Sequence, residues 1–206
     1  MSFNTRSFAA EPPARRPGCR FALAALLALL PLLAAPPAAA REAAAATISP
    51  QARQYLGDAR LSGSGRLTWF GLHVYDAALF VPSGTAPAAL LDGRFVLELH
   101  YARALEGRAI ATASRDEMAR MNLADAATLA RWTEQMARLF PDVKRDQRLA
   151  GVNLPGRGVS FYFEGRPIGT IDDPAFARAF FAIWLDERTR VPQLRQALLA
   201  GNPARP

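Results

Sequence analysis

The chain has 206 residues, half of them hydrophobic, with 25 basic against 18 acidic side chains for a formal charge of +7, one cysteine and two histidines. Those counts exclude a disulfide framework and a zinc site of the cysteine type. Arginines are scattered along the whole chain and Lys144 is the single lysine, so the basic excess reads as a solvated surface, and no nucleic-acid partner, metal ion or organic cofactor is expected.

Arg6, Arg15, Arg16 and Arg20 precede an uninterrupted apolar run over residues 21–33, and Ala38, Ala39 and Ala40 supply the small residues that a signal peptidase reads. Residues 1–40 are therefore expected to be a cleaved signal peptide, with cleavage before Arg41 or within the alanines at 43–46, and the mature protein is expected in the periplasm. The alternative is an uncleaved anchor, because roughly 20 apolar residues span a bilayer. Pro31, Pro36 and Pro37 oppose it by breaking a helix there. Cys19 lies ahead of the apolar run and cannot become the lipid-bearing first residue of a mature chain. Cleavage removes four arginines and Glu11, lowers the positive excess, and leaves no thiol and no stable transmembrane segment.

Residues 41–59 read as a lead-in and 60–201 as one domain, since roughly 160 residues suit a single core. Residues 60–70 and 72–81 predict two strands meeting at Gly71, and 95–101 a third. Helical spacing follows over 106–121 and 125–139, where Leu129, Trp132, Met136 and Leu139 share a face, Asp125 is placed as N-cap and Pro141 closes the run. Strands are predicted over 148–154 and 158–163, the latter turning through Glu164-Gly165 into 168–171 with Val159, Phe161 and Phe163 on one face. Asp172-Asp173-Pro174 opens a helix through Trp184 that buries Phe176, Phe180, Ile183 and Trp184, and a last helix covers 192–199 before Gly201. Strands, helices, strands and helices in blocks predict an α+β domain, an antiparallel sheet with helices layered on one face.

Three stretches, LSGSGRLTWFGLHVYDAALFV, FVLELHYAR and FYFEGRPIGTIDDPAFARAFFAIWLDERT, with the final LRQALLAG, resemble in order and spacing the bacterial chalcone isomerase-like family. The resemblance implies an open-faced sandwich with a ligand cleft between sheet and helices. In the family's plant enzymes an arginine early in the first hairpin and a threonine on its second strand act with a tyrosine and an asparagine of the helical layer, orienting a phenolate for attack on an enone. Arg66 is the candidate arginine. The threonine position holds Ala77, or Tyr75 if the hairpin shifts, while residues 109–140 contain no tyrosine and only Asn122, in a predicted turn. One oxyanion-stabilising donor is worth about 100- to 1,000-fold in rate, so this incomplete set predicts against true chalcone isomerisation. The fold alone does not settle function.

In fatty-acid-binding relatives an arginine and a tyrosine of this region hold the ligand carboxylate, which the resemblance places on Arg66 and Tyr75; a guanidinium fork and a phenol suit that task. His73 and His100 sit on neighbouring predicted strands with Asp76 or Glu98 as polar partners, but without metal-ligand spacing, so His73 joins the ligand-binding candidates and no metal site is expected. Gly151 to Gly156 has the glycine spacing of a phosphate loop without its lysine, and Gly63-Ser64-Gly65 lacks the setting of a nucleophile elbow, which makes Ser64 a turn residue. The leading expectation is non-catalytic binding of a small amphipathic or anionic ligand such as a fatty acid. The alternatives are an intramolecular isomerase or lyase acting on an enone-like substrate, and a structural or partner-binding protein with a filled cleft.

Overall fold

The computed structural model describes residues 50–85, 90 and 92–201; the expected leader, 1–40, and residues 41–49 of the expected lead-in lie outside the described residues. Six strands, β1 (Ala59–Trp69), β2 (Leu72–Pro82), β3 (Phe95–Tyr101), β4 (Arg148–Leu154), β5 (Gly158–Phe163) and β6 (Arg166–Ile171), lie in chain order in one sheet, each antiparallel to the next. The helices are α1 (Pro50–Leu56), α2 (Gly107–Arg120), α3 (Ala126–Leu139), α4 (Pro174–Leu185) and α5 (Pro192–Leu199).

Two tight turns follow from backbone that only certain positions tolerate. Phe70 and Gly71 both have positive φ, 47° and 76°, and so do Glu164 and Gly165, 48° and 77°; this is the two-residue hairpin whose twist matches the strands it joins. The helix starts are fixed by side-chain caps. Asp125 accepts from the Thr128 N–H at 2.7 Å, and Asp173 from Ala175 and Phe176 at 2.9 and 3.2 Å while also receiving the Trp132 indole N–H at 2.8 Å.

Alternation sends Tyr75, Ala77, Leu79 and Val81 of β2 and Phe95, Leu97, Leu99 and Tyr101 of β3 into the core beneath α2–α5. That layer is filled by edge-to-face rings: Phe161 lies 5.0 Å from Phe140 and 5.3 Å from Phe180, and Phe181 4.5 Å from Phe95. The other sheet face is not bare. Ala78, Phe80, Val96, Ala150, Val152 and Tyr162 form a second apolar cluster against Ala52 and Tyr55 of α1. The expectation of helices on one face holds for four of the five described helices, and α1 adds a short cover on the opposite side.

One sequence reading is corrected here. Ser64 is not in a turn: Gly63, Ser64 and Gly65 run through the middle of β1. Their glycines admit α5, because a Cβ on Gly63 would run into the Ala197 and Leu198 carbonyls and one on Gly65 would lie 2.8 Å from Leu194 Cδ1.

Candidate functional site

The β1–β2 hairpin decides where the predicted site residues go. From its two-residue turn, Trp69 pairs with Leu72 and Thr68 with His73, and an unbroken ladder would continue with Leu67 opposite Val74 and Arg66 opposite Tyr75. A bulge intervenes. The extra residue is Val74, so Leu67 pairs with Tyr75 and Arg66 with Asp76. Arg66 and Tyr75 therefore project from opposite faces, and the structure does not bring them to one point.

Arg66 forks onto Asp76, with Nε to Oδ1 at 2.8 Å and the second guanidinium nitrogen to Oδ2 at 3.4 Å. His73 sits on the same side, its Nε2 3.1 Å from Asp76 Oδ1 but not aligned for a hydrogen bond. Asp76 thus gathers both candidates from the sequence into a half-exposed polar cluster on the face away from the four helices. His100, across the ladder from Asp76, has Nε2 3.2 Å from the Asp146 carbonyl, and Glu98 is held by Arg148 at 3.3 Å. Among the described residues no group of histidine, cysteine or carboxylate side chains is arranged to hold a metal ion.

Tyr75 faces the helices. Its hydroxyl accepts a 2.8 Å hydrogen bond from Trp184 Nε1 of α4, and its ring meets Tyr101 edge to face at 5.8 Å. Burial drives the phenol far above its ordinary range, the Trp184 bond pulls the other way, and the Glu117 carboxylate of α2 adds to the rise. Burial does the same to Tyr101, with Tyr75 contributing. A phenol that accepts from Trp184 and keeps its own proton can still donate one hydrogen bond. Trp184 and Glu117 are thus the partners that sequence reasoning missed. The signal for Trp184 was its place on the buried face of its helix, read as packing alone.

The other positions that the resemblance singles out add no donor between the layers. Ala77 offers no hydroxyl, and Asn122 lies exposed just past α2 at φ 54°. Beyond Tyr75, Glu117 is shared between Arg120 at 3.0 Å and Arg190 at 3.2 Å, which places two guanidinium groups around the carboxylate whose field reaches the phenol. On the opposite face a cavity of about 190 Å³ is lined by Glu98, Arg148, Tyr162 and Glu164 with Pro50 at its rim, smaller than the roughly 300 Å³ of ordinary ligand pockets.

A six-stranded antiparallel sheet with four helices layered on one face, and a tyrosine of the first hairpin hydrogen-bonded into that layer, defines an open-faced α+β sandwich. Residues 40–200 match the family of chalcone isomerase-like proteins, and the chain belongs to that family. It is 29% identical over 137 residues to an uncharacterized protein of Haemophilus influenzae, a match spanning 66% of this chain and 66% of that one, just under two thirds of the relative's length. The fold is shared with a fatty-acid binding protein of Arabidopsis thaliana, at a TM-score of 0.55 and 15% identity, covering 70% of this chain and 88% of the plant protein.

Proposed function

We propose that this protein is a non-catalytic binder of a small amphipathic ligand with an anionic end, such as a fatty acid, and that it works in the periplasm after loss of its leader. The observation that carries the reading is the Tyr75 hydroxyl: protonated, desolvated and braced by Trp184, with an alanine at the threonine position and Asn122 exposed, away from it. Such a phenol suits a carboxylate, to which it donates its remaining proton, and the guanidinium groups of Arg120 and Arg190 stand around Glu117 close by. The apolar tail would then lie among the rings of the helical layer. The family and the fatty-acid binding of the plant neighbour support the same ligand class. Arg66, forked onto Asp76 on the far face, and His73 beside it are assigned to bracing the hairpin, and the head-group contact is assigned to Tyr75.

The test is native mass spectrometry of the chain isolated from its host, followed by titration of the delipidated protein with a long-chain fatty acid. A fatty-acid adduct is expected, with affinity falling about tenfold or more in Tyr75→Phe, because a hydrogen bond to a charged group contributes roughly 1.5–3 kcal/mol. No adduct and no uptake on titration would refute the binding reading. The close ring packing between the layers favours, as second reading, a structural protein whose cleft is filled by its own side chains, and that null titration is what it predicts. Loss of chalcone absorbance at high protein concentration would revive the enzymatic alternative. Intact mass of the periplasmic fraction tests export, which predicts a chain beginning near Arg41.

A further inference from the structure

The end of the β1–β2 hairpin holds three large apolar side chains in water. Phe70 is 89% exposed, Leu72 55% and Trp69 48%, and the Trp69 and Phe70 rings touch edge to face at 5.3 Å. No other large hydrophobic side chain among the described residues stands out in this way. The backbone does not call for an aromatic at Phe70. Its φ of +47° is a conformation that asparagine or glycine adopts at less cost, and the exposed ring recovers little packing in the isolated protein.

The shape of the patch narrows its partner. It is a protruding turn and not a groove, so it cannot cradle a peptide helix or strand. Two such tips meeting would bury far less than the roughly 1,200 Å² of a specific protein interface. Tryptophan, phenylalanine and leucine on a projecting loop suit the boundary between lipid head groups and acyl chains, where an indole keeps its N–H wet while its ring leaves water.

Charge at this end of the sheet is compatible. The Ala102 N–H donates to the Val74 carbonyl at 2.9 Å and the Asp146 N–H to the Tyr101 carbonyl at 2.7 Å, so the segments after β3 and before β4 flank the hairpin. They hold Arg103, Lys144 and Arg145, all exposed. Glu106, Asp142 and Asp146 are interspersed; Asp142 accepts from the Gly107 N–H and Asp146 lies 3.8 Å from His100. These three cations and three anions balance, and the apolar tip is the driving element.

We propose that this hairpin tip is a bilayer-docking wedge, inserting Trp69, Phe70 and Leu72 shallowly into a lipid surface. Trp132 and Trp184 are buried and the chain has three tryptophans in all, so Trp69 is a built-in reporter and the leader holds none. The chain as isolated from its host is titrated with phosphatidylcholine vesicles carrying brominated acyl chains, with and without phosphatidylglycerol. Trp69 emission shifts to the blue and is quenched by both to a similar extent. The double variant Phe70→Asn/Leu72→Ser, with a residue suited to positive φ at the turn, keeps its melting temperature and partitions about tenfold or more weakly, since burying one large apolar side chain already supplies roughly that factor. The variant Trp69→Phe still floats with vesicles but loses the quenching. Absence of quenching in the unaltered chain would overturn the proposal. So would equal partitioning of the double variant, or a lipid-free dimer that the double variant abolishes.

Discussion

Replacing Tyr75 by phenylalanine removes one oxygen from a buried contact and leaves everything else in shape. The phenylalanine ring keeps the packing against Tyr101, so the change isolates the hydrogen bond. What remains is the Trp184 indole N–H, in a side chain only 5% exposed, with its 2.8 Å acceptor gone. A buried donor left unsatisfied costs about 1–3 kcal/mol, more than the roughly 1 kcal/mol net worth of an ordinary hydrogen bond. Urea unfolding followed by tryptophan emission should therefore show a lower midpoint with unchanged slope. Adding Trp184→Phe should cost less than the two single losses combined, because the second change removes the orphaned donor along with its own packing. A Tyr75→Phe midpoint equal to that of the unaltered protein would refute the reasoning. It would mean that water reaches the indole, and that the phenol is not the desolvated donor on which the ligand assignment rests.

Gly63→Ala should destabilise by about 1–3 kcal/mol or prevent docking of α5, because its Cβ meets main-chain carbonyls that cannot swing aside; thermal melting checks it, with Gly57→Ala, which meets nothing within 4 Å but is strained at φ +65°, as the comparison. Asp173→Ala removes the cap of α4 and the acceptor of Trp132 together, with an expected cost of about 1–3 kcal/mol by urea unfolding. On the alkaline side, the folded chain keeps the Tyr75 and Tyr101 protons that the unfolded chain releases above about 10, so their contribution is complete below that pH and erodes as pH rises past it. On the acid side the Arg188 hydrogen bond lowers Asp186 to about 2 from 3.8, so that contribution is complete above 3.8 and is lost as pH falls toward about 2; midpoints measured across both windows, with Asp186→Asn making only the acid slope shallower, because Asp125 and Asp173 are lowered too, test the assignment.

Much of the fold was legible because strands and helices here carry strong, separate periodicities. The Leu129, Trp132 and Met136 stripe, the Asp125 and Asp173 caps and the Glu164-Gly165 turn all stand where spacing puts them. The short α1 was missed because seven residues, PQARQYL, carry too few turns to show a period. Gly63 and Gly65 misled for a different reason: glycine usually punctuates a chain, whereas here its missing side chain makes room for a helix. The Arg66 and Tyr75 pairing failed on a single residue. An unbulged hairpin places them side by side, and no feature of the sequence marks Val74 as the residue that the ladder skips.

The last helix and the first strand of the sheet close on each other: the Gly201 N–H donates to the Ser62 carbonyl at 2.6 Å, and Arg60 reaches the Gly201 carbonyl at 2.9 Å. The sheet itself could assemble strand by strand as the chain emerges, since every strand neighbours its predecessor. Its leading edge cannot be finished that way, because the slot lined by Gly63 and Gly65 waits for residues 192–201. The first strand and the last helix act as a clasp fastened last, so a truncation before residue 192 should leave a six-stranded sheet with an open, sticky margin.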